Sequence, residues 1–112
     1  MTTTRCRVRH WPDTLHQLEH LLSPIDECIA LHLLESQLPH VHSPRTDHKP
    51  EPGVLPIYRV RISFAEIVVR YVVIESKFYT IGCKQTSDPA ELAACDCVID
   101  DDGSDALVDV TP

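Results

Sequence analysis

Three stretches of alternating apolar and polar residues crowd together between Ile57 and Cys83, and the sequence predicts a strand for each, over residues 57–63, 66–75 and 77–83. In the first of them Arg59 and Arg61 stand two residues apart, so both leave the same side of the strand, while Tyr58, Val60 and Ile62 point the other way, toward a core. The short connections between them favour antiparallel pairing. Residues 4–10 (TRCRVRH) alternate in the same manner, with Arg5, Arg7 and Arg9 on one side and Cys6 and Val8 on the other. Between these strands the period lengthens. Pro12 suits the first position of a helix, Asp13 favours its positively polarised start, and Leu15, Leu18 and Leu22 follow at helical spacing. Ser23-Pro24-Ile25-Asp26 is a second start signal, for a helix running to about Leu38 with Ile25, Cys28, Ile29, Leu33 and Leu34 as its buried stripe.

Residues 39–56 hold five of the nine prolines and one of the three glycines, a density that predicts a loop. Asp88-Pro89-Ala90-Glu91 marks the start of a short helix. The remainder, CDCVIDDDGSDALVDVTP, reads as a hairpin about Asp102-Gly103 or as a mobile acidic tail. The expected architecture is therefore α+β: an N-terminal strand, a two-helix hairpin and a three-stranded antiparallel meander, all in one sheet. The helix pair would cover one face and leave the other open. Residues 1–94 form the domain and 95–112 an acidic C-terminal extension.

Charge sharpens this division. The formal net charge is −7, yet 10 Lys and Arg stand against 17 Asp and Glu, and six of those acids lie in the extension. Asp96, Asp100, Asp101, Asp102, Asp105 and Asp109 have no basic neighbour there, so the body is close to neutral and free to carry a local basic face. The segment could also fold across the arginine face in imitation of phosphate. Five scattered cysteines, an N-terminus without an apolar signal segment, and a longest apolar run (Ile67 to Ile74) interrupted by Arg70 indicate a cytoplasmic protein with reduced thiols.

An apolar-beneath, cationic-above sheet is a phosphate-binding surface in outline, although a solvated antiparallel strand gives the same alternation. His16 and His20, like Cys28 and His32, lie four apart on helices and could each offer two ligands to a metal ion. No HExxH motif accompanies them, Cys95-x-Cys97 is not CxxC, and no further ligand stands near, so no metal site is expected. Cys28 with His32 as a nucleophile pair lacks an orienting third group. His40, His42 and His48 fall in the predicted loop and are expected to be exposed, titrating near neutrality or orienting RNA. Gly53, Gly82 and Gly103 are isolated, so no glycine-rich phosphate loop and no nucleotide cofactor are indicated.

The strand leading into a proline-started helix (RVRHWPDTLHQLEHL), LLES at 33–36, SPR at 43–45, LPIYRVRIS, VVRYVVIES and the closing FYTIGCK together resemble the RelE/ParE superfamily of type II toxin–antitoxin toxins over residues 5–84, the RelE branch above all. The resemblance implies a RelE-like sheet and a ribosome-dependent mRNA endonuclease. In that branch cationic side chains and a C-terminal tyrosine position the mRNA and stabilise charge as the 2′-hydroxyl attacks the neighbouring phosphate. By position, Arg59, Arg61 and Lys84 match the family's catalytic cations, with Arg5, Arg7, Arg9 and Arg70 as RNA-binding groups. The family's third-strand arginine falls on Val68, with Arg70 two residues on, and its tyrosine falls near Ala90.

Three functions follow as expectations. The first is a RelE-like toxin, partnered by a cognate antitoxin, the ribosome and mRNA, with no membrane and no small-molecule cofactor. The second is the same fold with its catalytic array worn away, acting as an acidic protein-binding or inhibitory module. The third is a ParE-like gyrase inhibitor.

Overall fold

A computed structural model describes residues 7–44 and 53–100. Along the chain come β1 (Val8–His10), α1 (Pro12–Leu21), α2 (Pro24–Val41), β2 (Tyr58–Ile62), a 3-10 turn at Ser63–Ala65, β3 (Ile67–Ile74), β4 (Lys77–Gln85), α3 (Pro89–Ala93) and β5 (Cys97–Ile99). The class is α+β, and the described residues form three helices and one five-stranded sheet in the order β1-β4-β3-β2-β5. The meander β2-β3-β4 is antiparallel, and a short parallel strand flanks it on each side, β1 on β4 and β5 on β2.

β5 is the addition to the expected four strands. The stretch read as a hairpin or mobile tail begins instead with Cys97–Ile99 paired to Val60–Ile62, and Ile99 is fully buried. Asp96 fixes the approach, because its backbone N–H donates to the Arg59 carbonyl and its carboxylate accepts from the Arg59 N–H, both at 2.8 Å. Alternation of Cys97, Val98 and Ile99 then sends Ile99 into the core and Val98 outward. The expected turn at Asp102-Gly103 lies outside the described residues, as do Arg5, Cys6 and His48.

The helices begin where their start signals stand. Pro12 and Pro24 each occupy a first turn, and Ser23 Oγ accepts the Asp26 N–H at 3.2 Å. Trp11 N–H still donates to the Thr80 carbonyl at 3.0 Å, so the chain turns from β1 into α1 without a linker. Beyond that point β4 has lost its β1 partner, and Gln17 of α1 takes over its edge, with Oε1 accepting the Cys83 N–H at 2.7 Å. α1 thereby seals the edge that a three-residue β1 leaves bare.

α2 differs from its expected form in two ways. It runs through Pro39 to Val41, because the last turn closes through His42 N–H to the Leu38 carbonyl at 3.0 Å, and a missing donor at one position does not end it. Its buried side is Ala30, Leu33, Leu34 and Leu38, whereas Ile25, Cys28 and Ile29 are exposed, as is Leu15 on α1. Apolar residues fill every position from Cys28 to Leu34 except His32, so periodicity alone does not choose the buried side.

The core lies between the α1–α2 pair and one face of the sheet. Leu18, Ala30, Leu34 and Leu38 meet Val60, Ile62, Ile67, Val69 and Tyr71, all fully buried. His42 is half-buried against this core rather than exposed. Its Nδ1 lies 2.8 Å from Tyr71 Oη, and its ring stands edge-on to Tyr58, Tyr71 and Phe78 at 4.7, 5.6 and 5.3 Å. The extension of α2 past Pro39 carries it there.

The β3–β4 hairpin turns through Glu75 and Ser76 at φ of 53° and 67°, a turn of the I′ kind made from two residues that disfavour left-handed backbone. The double substitution Glu75→Asn/Ser76→Gly supplies the residues that conformation favours. It is expected to stabilise the fold by about 1 kcal/mol, read as a higher denaturation midpoint with an unchanged m-value.

Candidate functional site

On the sheet face away from α2, the register places side chains in two rows. Arg59 stands opposite Arg70, which stands opposite Gly82; in the next row come Val98, Arg61, Val68 and Lys84. Across these rows opens a cleft of about 270 Å³ lined by Arg59, Val68, Arg70, Cys83, Lys84 and Glu91. Glu91 belongs to α3, so the connection from β4 to β5 passes over this face, which is not bare as expected.

Each wall has a local cause. Val68 is 3% exposed and forms an apolar floor. Arg59 and Arg70 are exposed cross-strand neighbours of like charge, an arrangement that costs stability. Arg70 lies across Gly82, where a Cβ would overlap its Nη2 and stand 3.4 Å from Gln17 Oε1. Glycine there is required by the path of Arg70. Arg61 is half-buried beside Val68, and its Nε is buried without a hydrogen-bond partner among the described residues.

Lys84 Nζ donates to Glu91 Oε2 at 2.6 Å. Glu91 is held below the usual carboxylate range by that bond first, then by the Thr86 hydroxyl and the charges of Lys84 and Arg59. It stands three residues after the helix cap Asp88, whose Oδ1 accepts the Ala90 N–H at 3.0 Å. In that position glutamate often reaches back to the cap's own N–H. Here Thr86 Oγ1 accepts the Asp88 N–H at 3.1 Å, which leaves Glu91 for Lys84.

The structure thus brings Arg59, Arg70 and Lys84 together with Arg61 alongside. It does not bring Arg7 and Arg9 to them. β4 and β3 lie between β1 and β2. Arg9 shares the face but pairs in register with Tyr79, and Arg7 turns to the far end of the sheet, donating from Nε and Nη2 to the Ser76 carbonyl, each at 3.4 Å. Ala90 is exposed on α3. Tyr71 is buried on the core side, and Tyr79, half-buried, faces the cleft's side of the sheet one row removed.

Cys83 backs the cleft with its thiol aimed inward at the Thr14 carbonyl, 4.0 Å away, and burial pushes it up to about 11 against the pull of Arg70. A thiol so raised is inert as a nucleophile. The His16 and His20 rings lie 4.4 Å apart, tilted at 51°, and Cys28 and His32 are exposed. Among the described residues no three His, Cys, Asp or Glu side chains converge as metal ligands.

A polar network that the sequence pattern did not single out sits behind the sheet. His10 Nδ1 accepts from Thr80 Oγ1 at 2.8 Å, and its Nε2 donates to Glu35 Oε2 at 3.1 Å, tying β1 to β4 and to α2. Thr80 is fully buried, which bars it from meeting a substrate. Burial lowers the His10 imidazole against the opposing hydrogen bond and charge of Glu35, and burial likewise lowers His42 against the charge of Asp96.

Comparison with protein-family models, with curated proteins and with solved structures finds no match.

Two outcomes follow from this geometry. Gly82→Ala is expected to fold, since the overlapping atom ends a flexible side chain. Its methyl should nevertheless displace the Arg70 guanidinium from its place across Gly82, read by NMR as a shifted Arg70 side-chain resonance beside an unchanged backbone spectrum. The histidines set an acid limb. With native values below the ordinary 6.5, their contribution to stability is complete above pH 6.5 and is lost as pH falls through the lowered values. Melting temperature should therefore drop below pH 6.5 before carboxylates titrate, and the His10→Gln/His42→Phe variant should show a flatter limb in thermal melts.

Proposed function

We propose that this chain is a RelE-like toxin that holds an RNA backbone in the Arg59–Arg70–Lys84 cleft and cleaves mRNA on the ribosome. The observation that carries the reading is the convergence of three cations from three successive strands on one open cleft. Like charges are gathered there at a cost to the sheet, which a ligand phosphate would relieve.

In this reading Arg59 and Arg61 flank the scissile phosphate from β2, and Lys84 meets it from β4. Arg70 supplies the β3 cation. Its guanidinium reaches the cleft whose floor is Val68, so an arginine two residues along the same face of the strand serves where the family's own position is apolar. As the 2′-hydroxyl attacks, charge grows on the non-bridging oxygens, and prepositioned guanidinium and ammonium groups stabilise it. A cognate antitoxin would keep the protein silent until release.

A second reading draws on two particular residues. Val68 and Ala90 stand where the resemblance implies an arginine and a tyrosine, and among the described residues no tyrosine lines the cleft. Each lost group of this kind lowers a rate by roughly 10²–10³, so the same cleft without turnover would be an RNA- or protein-binding module. Purified protein on mRNA-programmed ribosomes separates the two. Cleavage that disappears in Arg59→Ala/Arg70→Ala is the expected result. Folded protein that leaves the message intact would transfer the assignment to the binding module.

A further inference from the structure

The cleft contains its own anion. Glu91 Oε2 sits 2.6 Å from Lys84 Nζ, where an oxygen of an arriving phosphate would have to sit, and it lines the cleft opposite Arg59 and Arg70. Its hold on the sheet is slight. α3 is five residues long and buries none of them. The helix is anchored beyond its two ends, by Thr86 N–H on the Glu66 carbonyl at 3.0 Å and by Asp96 on Arg59. Between those anchors the described polar contact with the sheet face is the Lys84–Glu91 pair, whose side chains are 60% and 39% exposed. Exposed pairs of this type hold weakly and exchange readily.

We propose that Glu91 is a built-in competitor for Lys84: RNA phosphate enters the cleft by exchanging with this carboxylate, and α3 lifts as it does so. The inference rests on the cleft being an RNA phosphate site and adds how that site is regulated. In the free protein Lys84 is already neutralised. A phosphate that takes the place of Glu91 frees a carboxylate as it covers a cation, so Lys84 adds nothing to the count of counterions released. In Glu91→Gln, Lys84 joins that count. For single-stranded nucleic acid each neutralised phosphate contributes about 0.7 to the slope of log affinity against log salt. The variant should then differ from the natural protein in salt dependence as well as in affinity.

The experiment is fluorescence anisotropy of a labelled oligouridylate titrated across a salt series with the full chain, Glu91→Gln, Lys84→Met and the Glu91→Gln/Lys84→Met double variant, with a thermal melt of each. The expected result is that Glu91→Gln binds about three- to tenfold tighter at low salt, with a slope steeper by about 0.7. The double variant should return to the slope of the natural protein. Binding with an unchanged or shallower slope in Glu91→Gln overturns the inference and leaves the cleft reading standing. A steeper slope that persists in the double variant also overturns it, because the gain would then not pass through Lys84. Folded proteins that bind no oligouridylate in any form overturn the cleft reading, and the inference with it.

Discussion

Slide β2 by one residue against β3 and Tyr58, Val60 and Ile62 would leave the core while Arg59 and Arg61 entered it. The buried side chains on both strands forbid that slip, since each is almost completely covered. The same register that hides Val60 against Val69 sets Arg59 against Arg70 and Arg61 against Val68. β4 then adds Lys84 to the row of Val68. The position of the cations is thus a by-product of a packing constraint on the other face of the sheet. Packing on that scale is far stronger than the repulsion between two exposed guanidinium groups, so the core can hold like charges together on the face it does not use.

The meander and the starts of the helices were legible in the sequence because each depends on local chemistry. Alternation placed Arg59 and Val60 on opposite faces, and Ser23-Pro24 and Asp88-Pro89 marked their helices. What was not legible depends on distant partners. β5 is three residues long and exists because Asp96 docks on Arg59, 37 residues away in the chain. The fate of His42 turned on whether α2 passed Pro39, and the buried side of α2 on which of many apolar positions met the sheet. Likewise, Arg9 and Arg59 share a face, but only the strand order reveals that two strands separate them.

For the cleft itself, Arg59 and Arg70 were visible as cations on strands and Lys84 as a cation just past the last of them, and their convergence was not. β4 carries an irregularity where Arg70 pairs with Gly82 and Tyr71 with Thr80, so the parity of inward-facing residues changes between Thr80 and Cys83. Strict alternation carried past Thr80 would have put Lys84 toward the core. Glu91 had a sequence signal as the third residue of a capped helix, but that signal points back along its own helix, not across to β4.

The parallel edge strands also set an order of events during synthesis. β1 emerges first and has no partner until Phe78–Thr80 follow, with His10 and Thr80 separated by 70 residues. α1 and α2 must wait in the same way for a sheet to cover, since the long-range pairing comes late and local structure comes early. The meander can pair as a local unit, but Glu91 and the Asp96–Arg59 clasp complete the cleft only when the last described residues leave the ribosome tunnel. A nascent chain therefore exposes Arg59 and Arg70 outside the tunnel before the cleft that they line has been assembled.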